Sequence, residues 1–206
     1  MRVSRIQAAE NRQTVINVAS QLFREHGFDG IGLKDLMKGA GLTQGAFYKQ
    51  FASKDALAAQ ASRRALESAS SRWSTAAAAN PKDPLGAVIA FYLSPEHRGE
   101  RMDGCPIVAL GSDAARQGRD VKASFEAGIK AYLEILGRIV AETDGMEAKD
   151  EAMAVLSTMV GALTLSRVVN DRELAQAFLD AAARQVRDTV AGRRVGRRSR
   201  RNPVKQ

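Results

Sequence analysis

A chain of 206 residues with 45% hydrophobic content can bury a substantial core in one or two domains, and its single cysteine, Cys105, excludes an internal disulfide framework and fits a reducing compartment. No apolar run approaches the ~18 residues of a membrane span, and the polar start of the chain lacks the apolar core of a signal peptide, so a cytoplasmic protein that contacts no membrane is expected. The net charge of +8 is concentrated near the carboxyl end: Arg193, Arg194, Arg197, Arg198, Arg200, Arg201 and Lys205 carry no acid among them and leave the rest close to neutral, so charge alone does not make the main body a nucleic-acid binder.

Aromatics at 5%, abundant alanine and few alternating β-branched runs predict an all-α fold. Residues 1–10 read as a polar, disordered arm running into a helix. From Asn11, the apolar positions Val15, Val18, Ala19, Leu22 and Phe23 keep the helical period until His26-Gly27, where glycine supplies a left-handed stop. Neither His26 nor His97 has a second ligand at metal spacing, so no metal and no cofactor are expected. Leu33, Leu36 and Met37 mark a short helix ended by Gly41, and Thr43 is placed to cap the next. Phe47 and Phe51 sit four apart on one face of that second helix, leaving Gln44, Gly45, Tyr48 and Lys49 free to touch a partner. Such a helix of about nine residues is roughly 13 Å long, and the major groove of B-DNA, about 12 Å wide, accepts it in helix-turn-helix geometry. Ser53 then caps a third helix with Lys54 beside its exposed N–H groups, a terminus suited to phosphate.

The run from Ala40 to Tyr48, then Phe51, then Ser53-Lys54-Asp55-Ala56-Leu57, resembles the DNA-binding signature of the tetracycline-repressor-like (TetR/AcrR) family of bacterial transcription regulators, over roughly residues 11 to 60. One position departs: Gly32 stands where that family usually has a Ser or Thr cap, a difference of a few tenths of a kcal/mol. The resemblance implies an N-terminal three-helix helix-turn-helix domain over 1–55 and a helical effector-binding and dimerisation domain over 56–191, while composition alone marks 192–206 as a disordered Arg-rich tail. It implies a sequence-specific regulator, a homodimeric repressor released from a pseudo-palindromic DNA operator by a small-molecule effector. On the second motif helix, Gln44 offers an amide to a base edge, Ala46 meets a thymine methyl and Lys49 reaches guanine or phosphate. Thr43, Tyr48, Lys54 and Lys34 set the backbone register, with Gly45 on the same face.

Residues 54–79 follow as a long helix with Leu57, Ala61, Leu66, Ala69 and Trp73 inward, broken by Pro81 and Pro84. Leu85 to Leu93 is a short apolar helix ended by Ser94-Pro95, and 96–104 is expected as a loop. Pro106 fits the first turn of the next helix. The Gly-Cys-Pro start of that helix resembles a subset of the same family. Cys105 is either a sensor whose thiolate the helix terminus stabilises or an inert packed thiol. Val121, Phe125, Ile129, Tyr132, Leu133, Leu136 and Val140 mark an amphipathic helix stopped near Asp144-Gly145. Residues 149–169 are nearly apolar throughout, which implies burial on several sides. Leu174, Ala177, Phe178, Ala181, Ala182 and Val186 mark the last helix. In the resembling family, the last two long helices pair with those of a second subunit.

Trp73, Tyr92, Cys105, Phe125 and Met159 are candidates to line an effector cavity, each equally readable as core, and their character points to an apolar or aromatic effector. An enzyme would need a nucleophile and base, paired carboxylates or a metal cluster, and no such constellation stands out. The alternative function is a non-specific nucleic-acid-binding protein driven by the basic tail, whose phosphate contacts would weaken steeply with salt.

Overall fold

The computed structural model describes residues 4–140 and 146–201; the expected stop at Asp144-Gly145, Arg2 and residues 202–206 lie outside them. Helices supply all regular structure among the described residues, so the fold is all-α. The chain forms two compact units: one runs up to Arg72 and takes in Gly99–Ala131, and the other joins Trp73–Arg98 to the chain from Tyr132 onward.

The first unit begins with α1 (Arg5–His26), whose Ser4 hydroxyl accepts from the Gln7 amide at 3.1 Å. This cap starts the helix six residues earlier than the apolar period alone indicated, so most of the expected disordered arm is helical. Gly27 ends it with φ +78°, donating its amide to the Phe23 carbonyl. Val15, Ile16, Ala19 and Phe23 form its buried face, and Phe23 meets Phe28 at 5.3 Å between ring centroids. The next helices are α2 (Leu33–Gly39) and α3 (Gln44–Phe47), joined through Gly41 at φ +70°. The helix α4 (Lys54–Ala79) follows, opened by Ser53, whose hydroxyl accepts from the Ala56 amide at 3.0 Å. Leu57, Ala61, Leu66, Ala69 and Trp73 are all buried as the period predicts.

Further along the chain, α7 (Pro106–Ala114) packs on α1, and Pro106 occupies its first turn. At the end of α1, the Arg24 side chain is 4% exposed. It donates to the Ser20 carbonyl at 2.9 Å and the Gly104 carbonyl at 3.0 Å. Arg72 grips the same segment, pairing bidentately with Glu100 and donating to the Asp103 carbonyl. In the first half of α8 (Arg119–Val140), Gly128 lies so close to Leu66 that an added Cβ would fall 2.7 Å from that side chain. The Ser124 hydroxyl beside it donates to the Ala59 carbonyl at 2.9 Å.

The second unit contains α5 (Pro84–Tyr92), capped by the Asp83 carboxylate on the Gly86 amide at 2.9 Å, and α6 (Pro95–Gly99). Residues 96–99 are therefore helical where a loop was expected: the Ser94 hydroxyl accepts from the His97 amide at 3.0 Å, and Pro95 starts this helix instead of ending the one before it. His97 is buried, its Nδ1 2.7 Å from the Tyr92 carbonyl. Trp73 stands edge-on to Tyr92 and Tyr132, with centroids 5.0 and 4.6 Å away.

The last helices, α9 (Met146–Val168) and α10 (Arg172–Arg201), pack along one another, and the Asp171 carboxylate caps the second of them. On α9, Ala148–Val168 has a mean hydropathy of 1.2, long and apolar enough by length and composition to cross a membrane. This corrects the expectation that no stretch approaches that limit. Ala152, Val155, Leu156, Met159 and Leu163 are nevertheless buried within the unit. On α10 the buried stripe is Ala175, Leu179, Ala182, Val186 and Val190, while Leu174 is 44% exposed. The backbone of α10 stays helical through Arg201. The basic run expected to be disordered is thus helical to that point, consistent with the high helix propensity of arginine and the stabilising position of cations at a helix C-terminus.

Candidate nucleic-acid interface

The segment from Thr43 to Phe51 is built by burying two rings. Phe47 is 0% and Phe51 4% exposed, and the rings stack with centroids 5.4 Å apart. Phe47 also receives the edge of Tyr48 at 5.3 Å and 87°. With these rings inward, the helical period turns Gln44, Gly45, Tyr48 and Lys49 outward, and all four are exposed. Tyr48 is 69% exposed, an unusual amount for an aromatic beside a packed core, so its phenol is presented to solvent. A Cβ placed on Gly45 would meet nothing within 4 Å, which leaves space for a partner's approach.

Two details differ from expectation. The α-helical part of α3 is only four residues long, and the chain continues in turns, with the Gln50 and Phe51 amides both donating to the Phe47 carbonyl. The segment is one turn, roughly 6 Å at 1.5 Å per residue, not a helix of about nine residues. Gly45 weakens helix propagation, and the turn at 48–50 returns the chain so that Phe51 stacks on Phe47. Thr43 takes the extended backbone of a cap without a side-chain capping bond. Its exposed hydroxyl is thereby left to other acceptors.

Lys34, in the first turn of α2, is exposed, Ala46 is half-buried beside Phe47, and Lys54, in the first turn of α4, is half-buried. Thr43, Gln44, Gly45, Tyr48 and Lys49 are thus exposed in and around α3, with Lys34 and Lys54 on the helices before and after it. Arg12 was missed from sequence. Its guanidinium lies 4.9 Å from the centre of the Phe51 ring and donates to Gln60 Oε1 at 2.6 Å. Nothing in the local pattern of α1 distinguishes this arginine from a solvated one.

The five effector candidates are all buried. Trp73, Tyr92 and Met159 belong to the second unit, where the first two share an aromatic cluster with Tyr132. Cys105 and Phe125 belong to the first. A cavity of about 210 Å³ in the second unit is lined by Lys82, Leu85, Ile139, Arg187 and Val190 among others, and by none of the five. Among the described residues no group of three or more His, Cys, Asp or Glu side chains is placed to hold a metal ion.

Residues 15–61 match the profile of the bacterial regulatory proteins of the tetR family. The chain is 23% identical over 132 residues to the HTH-type transcriptional repressor NemR of Escherichia coli (strain K12), covering 63% of this chain and 66% of NemR, just under two thirds of its length. It is 22% identical over 162 residues to the HTH-type transcriptional regulator LmrA of Bacillus subtilis (strain 168), 76% of this chain and 86% of that protein. The crystal structure of a TetR-family transcriptional regulator from Cytophaga hutchinsonii superposes with a TM-score of 0.75 at 20% identity, covering 93% of this chain and 98% of that one. The family match falls on the helix-turn-helix and not on the basic tail, so a non-specific binder driven by the tail is not supported. Residues 15–61 thus carry a DNA-binding segment of the tetR-family type on an exposed face, and the fold around it is the one shared with the solved TetR-family regulators.

Proposed function

We propose that the protein is a cytoplasmic homodimeric repressor that reads an inverted repeat through α3 and leaves it when an apolar or aromatic effector binds. The observation that carries this is the exposed face of Gln44, Gly45, Tyr48 and Lys49 held over the buried Phe47–Phe51 pair. Gln44 and Ala46 address base edges, and Lys49 addresses guanine or phosphate. Thr43, Tyr48, Lys34 and Lys54 take the phosphate backbone and set register. One turn of helix reaches only a few base pairs, so two copies related by a two-fold axis give the length of site that specificity requires. The apolar side chains left exposed on α9 and α10 support that pairing: Met153, Leu165, Val168 and Leu174 are each 44% exposed or more.

Effector release requires better binding to the form whose two reading heads are wrongly spaced; equal affinity for both forms would shift nothing. The Trp73 and Tyr92 cluster with Met159, and separately Cys105 and Phe125, are the side chains assigned to it. Selection of bound duplexes from a random pool at near-physiological salt tests the DNA reading. Enrichment of one inverted repeat, retained when residues 193–206 are removed, is expected. Retention of DNA without an enriched motif, lost on that truncation, would contradict it.

A further inference from the structure

A one-turn helix cannot set its own orientation, because a single turn fixes several dihedral angles for very few backbone hydrogen bonds. The aim of α3 must therefore come from side chains. Phe47 and Phe51 hold it from below, and Phe51 is in turn covered by the Arg12 guanidinium, 4.9 Å from the ring centre. The same guanidinium reaches Gln60 Oε1 at 2.6 Å, and Gln60 Nε2 is itself fixed on the Ala56 carbonyl at 3.1 Å. One half-buried side chain on α1 thus touches the end of the reading turn and the start of α4 together.

The geometry points to Arg12 as a positioning residue for DNA reading, a clamp that fixes the angle of the recognition turn against α1 and α4. A guanidinium suits this because its plane lies on a ring while its edge donates to an amide oxygen. Lysine supplies the charge over the ring but not the rigid fork. Removing the clamp leaves Gln44, Tyr48 and Lys49 present and exposed, but no longer held in one orientation. The role presupposes that α3 reads DNA, and one arm of its test needs no DNA.

The test measures binding of Arg12→Met, Arg12→Lys and Gln60→Leu to the duplex enriched by the wild-type protein, across a series of salt concentrations. It adds amide hydrogen exchange of the free proteins. Arg12→Met is expected to bind about tenfold more weakly, with Arg12→Lys recovering part of the loss. The slope of log K against log salt should stay as in the wild type, because no phosphate contact is removed. Amides of residues 44–60 should exchange faster, while those of α9 keep their wild-type rates. Affinity within twofold of wild type with unchanged exchange would overturn the proposal. So would a slope shallower by about 0.9, the mark of a direct phosphate contact. If Arg12→Met does not fold, Gln60→Leu decides: it should weaken binding and loosen 44–60 similarly, and wild-type behaviour in both would overturn the clamp. A wild-type protein that enriches no duplex would refute DNA reading by α3, and the exchange rates would still judge whether Arg12 orders the turn.

Discussion

At the scale of single residues, the segment around α3 separates side chains that hold the fold from side chains that leave it unchanged. Tyr48 is 69% exposed and Phe47, its neighbour, is 0% exposed. Tyr48→Phe should therefore leave thermal stability within about 0.5 kcal/mol of wild type while weakening DNA binding, checked by paired melting and anisotropy measurements. Phe47→Ala should cost about 3–5 kcal/mol of stability, because it removes a fully buried ring from a small core. Arg24 makes the opposite kind of case, a charge with a structural duty. Its loss leaves the buried Gly104 carbonyl without this donor. Arg24→Met is expected to lower unfolding free energy by about 1–3 kcal/mol in urea titrations.

At the scale of elements, what the sequence made legible was what local chemistry determines. Gly27 and Gly41 both adopt positive φ, and Ser53 caps α4, each at the residue where turn chemistry demands it. Gly27→Ala should be strongly destabilising in a melting experiment: it forces an L residue to φ +78° and sets a Cβ 2.8 Å from the Asp113 carboxylate. Where expectation and structure parted, a local signal was ambiguous. Ser94-Pro95 reads equally as the end of one helix or the cap and first residue of another, and the Ser94 hydroxyl on the His97 amide decides for the second. The start of α1 was hidden because the residues after Ser4 show no buried apolar stripe: Ile6, the large apolar side chain among them, is 74% exposed. Arg12 was invisible for a different reason: its partners Phe51 and Gln60 lie 39 and 48 residues away, and only the folded chain brings them to it.

At the scale of the whole molecule, α9 and α10 carry more apolar surface than their own unit covers. Ala175, Leu179 and Ala182 are buried, whereas Leu174 on the same helix remains exposed, as do Met153, Leu165 and Val168 on α9. A long helix with two apolar stripes has two burial solutions, so sequence periodicity alone could not tell the inner stripe from the outer. If the outer surface joins two copies, Leu165→Glu with Leu174→Glu should shift the protein to monomer in sedimentation velocity. The same pair should weaken binding to the full inverted repeat far more than to a single half-site. The central claim remains that the outward face of α3 reads base sequence. It is tested most directly by repeating the duplex selection with Gln44→Ala beside the wild type. The expected result is the same inverted repeat with preference relaxed at symmetry-related positions, each losing about 1–3 kcal/mol of discrimination. An unchanged preference at every position would contradict the assignment of Gln44 to a base edge, and with it the reading face described for α3.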